Sequence, residues 1–184
     1  PRAETSPLAT LLGWEAALRR QATVPELIYF VANETRALVA YDQLFVLARP
    51  LAGEGWQVRC ASSLAAVDRN APAIRAIEAA VRDLGEQPCD CDAPADEALD
   101  DYPFRHWLWQ PLVDREGAPF AGLIAARAHP FERADAARLA RVAETAQHGW
   151  LALTGGKPPR RLPKLTRRHR RAVAAAAAVV ALFP

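Results

Sequence analysis

Two cysteines separated by one residue, Cys89 and Cys91, have the spacing in this sequence that most directly suggests chemistry. A structural zinc site needs four ligands, which usually come as two closely spaced pairs of Cys or His. The sequence has one such pair, and its nearest histidine is His106. We therefore expect no metal site and interpret the pair as thiols of an acidic loop, residues 89–103, that is too polar to pack. A redox role is the alternative. The odd count of three cysteines fits reduced thiols in a cytosol better than a disulfide framework.

No other set of side chains forms a catalytic constellation. The four histidines are scattered along the chain, and none has the spacing that would pair a nucleophile with a general base. We therefore expect no catalytic residues and no cofactor, and we predict that the chain is not an enzyme.

Positive charge is concentrated near the end of the sequence. Residues 157–171 contain no acid and eight basic residues, Lys157, Arg160, Arg161, Lys164, Arg167, Arg168, Arg170 and Arg171. All 21 acidic residues lie in residues 1–156 beside the other 15 basic residues, which gives that part a net charge of −6. Nucleic-acid binding needs a recognition element or stacking aromatics, and residues 157–171 contain no aromatic residue. We therefore expect no nucleic-acid partner.

The basic residues lead directly into 13 apolar residues, 172–184. At a rise of about 1.5 Å per residue these span roughly 20 Å, whereas a bilayer core needs about 30 Å. Arginines would not introduce a core helix, and an interfacial helix would carry charge on one face. Because Lys and Arg flank membrane helices on the cytoplasmic side, we interpret 155–171 as a basic juxtamembrane linker and 172–184 as a truncated transmembrane segment. The alternative is that the basic residues belong to a solvated linker with no membrane role. The four membrane-proximal arginines are Arg167, Arg168, Arg170 and Arg171.

Helices are the first elements of the fold that the sequence predicts. Thr23 and Glu26 have the capping-box spacing and start one helix, and Gly85 ends another that opens near Asn70. The last runs from about 131 to 153 and is expected to expose Asp135. The apolar faces expected for the four helices are Leu8, Leu11, Leu12 and Leu18; Leu27, Ile28, Val31, Thr35 and Leu38; Ile74, Ile77, Val81 and Leu84; and Leu139, Val142, Ala146, Trp150 and Leu153.

Between the predicted helices the sequence pattern changes to a period of two residues, which is typical of β-strands and predicts two hairpins. Residues 43–49, QLFVLAR, are apolar on both faces as in a central strand, and the next strand alternates with Trp56, Val58 and Cys60 on its buried side. The stretches HWLWQPLV and PFAGLIAARA form the second hairpin, with Gly117 in its turn. This order of elements predicts an α/β chain of the α+β class, with an antiparallel sheet sandwiched by helices.

Residues 110–146, QPLVDREGAPFAGLIAARAHPFERADAARLARVAETA, resemble the C-terminal half of a GAF domain. In that family a strand ending in Pro-Leu turns through a Gly hairpin into a G-x-L strand and then a long helix. The matching residues are Pro111, Leu112, Gly117, Gly122, Leu123, Phe131 and Asp135. The resemblance covers roughly residues 20–154 and implies a GAF-like domain over residues 1–154. A PAS-like or profilin-like sheet would fit the same order of elements.

The resemblance also implies a ligand cavity on one face of the sheet. Arg105, His106, Trp107 and Trp109 lie where a GAF sheet lines that cavity, and Arg59 is a further candidate contact. Aromatic residues in strands are more often core, so two functions stay open: a small-molecule sensor, and a docking module whose cavity is filled by its own tryptophans. The signatures of cyclic-nucleotide-binding and bilin-attaching GAF domains are not apparent. Some GAF-fold proteins reduce methionine sulfoxide with loop cysteines, which adds a thiol-based redox enzyme as an alternative.

A second resemblance concerns the whole protein. The stretches VANET (31–35) and HGWLAL (148–153), with a basic linker that enters an apolar segment ending in LFP, look like the cytoplasmic N-terminal region of HlyD-type membrane-fusion proteins. These are periplasmic adaptors of efflux or secretion systems. The resemblance implies a non-enzymatic sensory or regulatory module on the cytoplasmic side of a bacterial inner membrane. The alternative is the ligand-sensing GAF domain of a signal-transduction protein.

The terminal helices, 8–18 and 139–153, could pair with copies of themselves, as GAF domains often do. We expect a homodimer, with Trp14 and Trp150 as candidates for the interface. Both tryptophans could equally belong to the core of one chain.

The sequence contains no Met, and we expect it to be a fragment. If residues 172–184 begin a membrane helix, the full-length protein should continue with about 7–12 further apolar residues after Pro184 to complete a span. Sequencing the gene beyond the codon for Pro184 and alkaline extraction of membranes that contain the full-length protein check this. A polar continuation, or release of the protein by alkali, would contradict the anchor.

Overall fold

A computed structural model describes residues 6–50 and 55–155 of the chain. Its helices and strands are α1 (Pro7–Leu18), α2 (Val24–Glu34), β1 (Gln43–Ala48), β2 (Gln57–Ala61), α3 (Pro72–Leu84), β3 (Cys89–Asp92), β4 (His106–Val113), β5 (Pro119–Arg127) and α4 (Arg133–Leu153), with short 3-10 helices at Thr35–Ala37 and Glu97–Leu99. The strands form one antiparallel sheet in the order β2-β1-β5-β4-β3. The predicted α+β architecture, an antiparallel sheet between helices, is confirmed.

Each face of the sheet is covered by its own apolar layer. On one face, which we call the helical face, α1, α2 and α4 pack on residues such as Leu44, Val46 and Leu123. On the other, which we call the α3 face, α3 packs on the opposite side chains of the same strands, including Phe45 and Ile124. Alternation along each strand sends neighbouring residues to opposite faces, so apolar residues at every position require cover on both sides.

The predicted helix boundaries follow from local capping. The Thr23 hydroxyl accepts a hydrogen bond of 3.3 Å from the Glu26 N–H and starts α2. The Glu26 carboxylate accepts from the Ala22 N–H rather than from Thr23, so the reciprocal half of the capping box is displaced by one residue. Gly85, at φ +77°, ends α3 as expected.

The expected apolar stripe of α1 is wrong in part. Leu18 is buried, but Leu8 and Leu12 are 63% and 54% exposed, and Trp14 and Glu15 are buried instead. The buried Glu15 carboxylate is stabilised by the Arg141 guanidinium of α4, at 2.8 Å. An ion pair therefore fixes the rotation of α1, and two leucines are left facing outwards. On α4, likewise, Leu153 is exposed and Leu151 is buried.

A β-bulge corrects the expected alternation of β2. Val46 pairs with Cys60 and Leu47 pairs with Val58, so Arg59 is an extra residue in the ladder. Trp56 and Val58 both lie on the α3 face, as their alternation predicts. The bulge moves Cys60, which was expected on the same face, to the helical face. The sequence shows unbroken alternation here, and a bulge cannot be read from that pattern.

The acidic segment is not the unpacked loop that its composition predicts. Residues Cys89–Asp92 form β3, which pairs with β4 at the edge of the sheet. The segment then covers part of the α3 face with Ala93 and with Leu99, whose side chain is fully buried. Its acids point outwards while its few apolar residues point inwards, so a polar average composition conceals a packed element.

The linker 155–171 and the apolar residues 172–184 lie outside the described residues, apart from Gly155. Within residues 6–50 and 55–155, no helix is both long enough and apolar enough to cross a membrane.

Asp135, which was expected on the exposed face of α4, is buried and joins that helix to the sheet. Its carboxylate lies 3.0 Å from the Arg127 guanidinium at the end of β5 and 3.2 Å from that of Arg138. It also accepts the Glu132 N–H at the start of the helix. Arg127 in turn donates to the carbonyls of Ala40, His129 and Pro130. One buried ion pair thus holds three chain segments together.

The Asp135→Asn variant should therefore lose about 2–4 kcal/mol of unfolding free energy, because the amide leaves the partly buried Arg127 charge without its counterion. Urea denaturation followed by circular dichroism measures the loss. Glu144→Gln is the matched control: it breaks the exposed pair with Arg141, whose loss should change the stability little because water screens it. Equal stability of the two variants would contradict this role of Asp135.

Candidate functional site

Trp107 and Trp109 are at the centre of the α3 face, where the sequence suggested a ligand cavity. They lie two apart on β4 and are 0% and 1% exposed. The Trp107 indole N–H donates to the Phe104 carbonyl at 3.0 Å, and that of Trp109 donates to the Gly85 carbonyl at 3.2 Å. Both polar edges are therefore satisfied by the chain itself, as buried indoles require.

A glycine makes room for Trp109. A Cβ placed on Gly122 of β5 would clash with Cη2 and Cζ3 of this ring, so the indole lies directly against the glycine. Trp56 packs edge-on against the same ring at a centroid distance of 5.3 Å, and the Arg49 guanidinium lies 4.8 Å from the Trp56 centroid. The G-x-L motif on β5 thus has a packing role: its glycine allows a tryptophan to cover the neighbouring strand.

A second group of aromatic residues fills the same face beside the tryptophans. Phe45 lies 6.4 Å from Tyr102, and Tyr102 lies 5.3 Å edge-on from Phe104. The Tyr102 hydroxyl donates to the Gln43 side-chain carbonyl at 2.7 Å. Burial, with a smaller effect from the negative charge of Asp42, raises the pKa of Tyr102 well above its usual value. The hydroxyl therefore stays protonated and serves as a hydrogen-bond donor.

Two of the remaining predicted contacts are engaged by neighbouring segments of the chain. The Arg105 guanidinium donates to the carbonyls of Leu99, Ala93 and Pro94 at 3.0–3.3 Å and so organises the covering segment. The His106 ring lies 2.9 Å from the Asp92 carboxylate across the β3–β4 pair.

Arg59 lies apart from the other predicted contacts. It is an exposed residue of the bulge in β2, and β1 and β5 separate that strand from β4. At about 4.8 Å per strand this is a separation of roughly 14 Å. Ligand contacts by any of the five residues stay a prediction.

An open groove lies on the opposite side of the molecule, at the terminal helices for which the sequence suggested self-association but no ligand cavity. It has a volume of about 610 Å³ and runs between α1, the 3-10 helix Thr35–Ala37 and α4. Its lining includes Leu8, Leu11, Leu38, Ala137, Arg138 and Arg141. The signal that could have revealed it is the wide spread of leucines along α1, since four leucines in eleven residues are too many for the narrow stripe that meets the core.

The cations at the rim of the groove are already paired. Arg138 lies 3.2 Å from Asp135, and Arg141 contacts Glu15 at 2.8 Å and Glu144 at 3.0 Å. The hydrogen bond from Arg141 to Glu15, together with the charge of that carboxylate, raises the pKa of Arg141 above its usual value. The groove therefore offers apolar surface with nearly balanced charge.

The tryptophans expected at a dimer interface belong to the core of the single chain. Trp14 and Trp150 are each 5% exposed. Trp14 packs against Phe30 at 5.5 Å, and Trp150 packs edge-on against Phe120 at 5.7 Å.

The two cysteines of β3 are close to each other. Their Sγ atoms lie 3.6 Å apart, and both residues are half-buried. Cys60 is buried on β2. In the part of the chain that the structure describes, no group of three or more His, Cys, Asp and Glu residues is placed to hold a metal ion.

Comparison with known proteins identifies the fold. No family model and no curated protein matches the sequence. The free methionine-R-sulfoxide reductase of Neisseria meningitidis, solved with its substrate, is similar in structure with a TM-score of 0.61 and 15% identity, over 82% of this chain and 92% of the reductase. A putative GAF sensor protein from Burkholderia vietnamiensis has a TM-score of 0.61 and 11% identity, over 85% and 97%. The GAF domain of a Coxiella burnetii phosphoenolpyruvate-protein phosphotransferase has a TM-score of 0.57 and 13% identity, over 84% and 100%. The chain therefore has a GAF fold, as its C-terminal half suggested.

Gly122→Ala tests the packing of the α3 face. The new methyl group cannot coexist with the Trp109 ring, so the indole must move, and overpacking of this kind should cost about 2–3 kcal/mol. Gly13→Ala is the control, because nothing lies within 4 Å of a Cβ at that position and alanine favours a helix by about 1 kcal/mol over glycine. Urea unfolding measures both variants, and near-ultraviolet circular dichroism reports the tryptophan environment. A Gly122→Ala variant as stable as Gly13→Ala would disprove the close contact.

Proposed function

We propose that the chain is a non-enzymatic regulatory module that acts by self-association through the groove between α1 and α4. The observation that carries this proposal is the contrast between the two sides of the sheet. Trp107 and Trp109 close the α3 face with their own side chains, whereas apolar surface is open at the groove. In this proposal the module acts through its outer surface.

A second copy of this chain is the occupant that best suits the groove. Leu8 is both exposed and part of the lining, and Leu12, one turn further along α1, is also exposed. The same short helix therefore carries apolar side chains that project outwards and a groove that can receive them. A two-fold axis brings such a surface against itself, since each copy then supplies what the other accepts.

The charges around the groove support an apolar occupant. The guanidinium groups of Arg138 and Arg141 are held by carboxylates of the same chain. An anionic ligand would have to compete with these pairs, whereas leucines from a partner would leave them in place. Burying one Leu side chain contributes about 1.5–3 kcal/mol, so the leucines of two copies can hold a dimer.

The alternative is a ligand-sensing GAF domain of a signal-transduction protein. A groove of about 610 Å³ is of the size that small-molecule sites have. The similar Burkholderia structure is that of a putative GAF sensor protein. A thermal-shift screen of metabolites distinguishes the two functions, because a ligand would raise the melting temperature independently of protein concentration, whereas dimerisation makes it depend on concentration.

A thiol-based redox enzyme is a further candidate, which the contact between Cys89 and Cys91 favours. The similar Neisseria structure is that of a free methionine-R-sulfoxide reductase in complex with its substrate. An assay of methionine sulfoxide reduction with dithiothreitol as reductant tests it. Turnover that Cys91→Ser abolishes would replace the non-enzymatic proposal.

We further propose that this module lies on the cytoplasmic side of a bacterial inner membrane, as part of an HlyD-type efflux or secretion adaptor. The support is in the sequence alone: four arginines, Arg167, Arg168, Arg170 and Arg171, precede 13 apolar residues. In this proposal self-association of the cytoplasmic module would favour assembly of the adaptor subunits. Immunodetection of the full-length protein in inner-membrane fractions tests the location.

Replacing Leu8 and Leu12 together by Glu should weaken the homodimer by at least about 100-fold in Kd, because four leucines leave the interface and like charges meet across the two-fold axis. Sedimentation equilibrium of the 184-residue chain measures the Kd. Leu64→Glu is the matched control, since Leu64 is an exposed leucine in the connection that follows β2. A monomeric wild-type chain, or a double variant that dimerises as tightly as the control, would overturn the self-association proposal.

A further inference from the structure

We propose that Cys89 and Cys91 form a thiol–disulfide modification site. A low-molecular-weight disulfide of the glutathione class oxidises the two thiols to an intramolecular disulfide, and this detaches β3 from β4. The inference does not depend on the function proposed above, because it uses neither the groove nor self-association.

The first support is the contact between the two thiols. The Sγ atoms lie 3.6 Å apart in the reduced chain, although the cysteines are two residues apart on a strand. Residues i and i+2 of a strand point to the same face, and both cysteines are half-buried against the α3-face core. The side chains therefore already point towards each other, and the sulfur atoms must approach by only about 1.5 Å to bond.

The second support is the geometry that a disulfide requires. Two residues of an extended strand separate their Cα atoms by about 6.6–6.8 Å. A disulfide prefers a Cα separation of about 5.5–6 Å and rarely exceeds 6.8 Å. Closing the bond therefore shortens this stretch of β3 by roughly 1 Å. The shortened strand can no longer keep the register in which Cys89 pairs with Trp109 and Cys91 with Trp107.

The third support is that β3 can separate from β4 at a small cost in free energy. It has four residues and lies at the edge of the sheet, with β4 as its one neighbour in the described part of the chain. Asp90 and Asp92 are exposed on the strand. Short edge strands with few buried contacts open more readily than central ones.

Cys60 provides an internal comparison, because it has no thiol beside it in the described residues. Its Sγ atom contacts the Ala61 carbonyl at 3.9 Å, and burial raises its pKa. It lies on the helical face of β2, at the opposite edge of the sheet from β3. We therefore expect Cys60 to stay reduced where the other two cysteines are oxidised.

The reaction proceeds by two exchanges that balance. The Cys89 thiolate attacks one sulfur of the small disulfide, which releases one small thiolate and leaves a mixed disulfide on Cys89. The Cys91 thiol then gives its proton to solvent and attacks the Cys89 sulfur, which releases the second small thiolate. Two protein thiols and one small disulfide thus become one protein disulfide and two small thiols. Both electrons pass to the small disulfide.

Cys91 is assigned the second step because its thiol resists ionisation. Burial is the main cause that raises its pKa to about 12, and neighbouring Cys89, Asp90 and Asp92 add to the effect. At neutral pH it is a slow nucleophile.

Oxidation at β3 would be transmitted to the core of the α3 face. Trp107 and Trp109 are the cross-strand partners of the two cysteines, and the segment that follows β3 carries Leu99 into the same core. Detaching β3 loosens the covering segment and exposes the tryptophan side of β4. The redox state of two thiols thereby controls whether the α3 face is closed.

The experiment treats the 184-residue chain with excess glutathione disulfide, denatures it in iodoacetamide and digests it with trypsin. Cleavage after arginine places both Cys89 and Cys91 in peptide 83–105 and Cys60 alone in peptide 60–69. We expect peptide 83–105 to lose two hydrogens and to escape alkylation, while peptide 60–69 is alkylated as before. A doubly alkylated peptide 83–105, or one that carries two glutathione groups, would overturn the site.

Variants and hydrogen exchange test the mechanism and its consequence. Cys91→Ser should leave one glutathione on Cys89, and Cys60→Ser should oxidise like the wild type. In the oxidised wild-type chain, amides of β3 and of its partner β4 should exchange about tenfold faster or more, because the ladder between them is lost. A disulfide that forms without faster exchange would refute detachment of β3, and glutathione on Cys91 of the Cys89→Ser variant at an equal rate would refute the assigned order.

Discussion

Eight of the nine residues of β5 are buried, so both faces of the sheet must be covered by other parts of the chain. This requirement determines the rest of the architecture, because every strand that pairs with β5 extends two apolar faces at once. Three helices cover the helical face. The α3 face has one helix for the same area, and the chain completes its cover with large aromatic side chains and with the segment that follows β3.

The features that first suggested a ligand site follow from this shortage of helical cover. In the described part of the chain α3 is the one α-helix on this face, and Trp107 and Trp109 supply further volume there. Their indole N–H groups donate to the carbonyls of Phe104 and Gly85. Arg105 binds three carbonyls of the covering segment, whose irregular backbone would otherwise be buried without partners. Residue types that often line pockets here help to cover the α3 face, and an open groove lies on the other side of the sheet, at α1 and α4.

The sequence predicted most of the fold because its signals are local. The Thr23 cap, the Gly85 stop and the alternation of β4 and β5 each depend on a few neighbouring residues. Three features escaped prediction because their causes are distant in the chain. Strand β3 gains its stability from hydrogen bonds to β4, the bulge at Arg59 depends on the register with β1, and the rotation of α1 is fixed by an ion pair 126 residues away. The GAF resemblance likewise predicted the fold, but which side chains fill the α3 face is decided by packing.

The two faces of the sheet are mechanically connected, since they share the same strands. Strand β4 carries the tryptophans on the α3 face, and its Val113 N–H donates to the Gln147 side chain of α4 at 2.9 Å on the other side. Helix α4 in turn holds α1 through the contacts of Glu15 with Arg141 and Thr145. Directional hydrogen bonds, and not only adaptable apolar packing, thus join β4, α4 and α1. Because such bonds are short-ranged and have a preferred direction, they favour one arrangement of α1 over its neighbours.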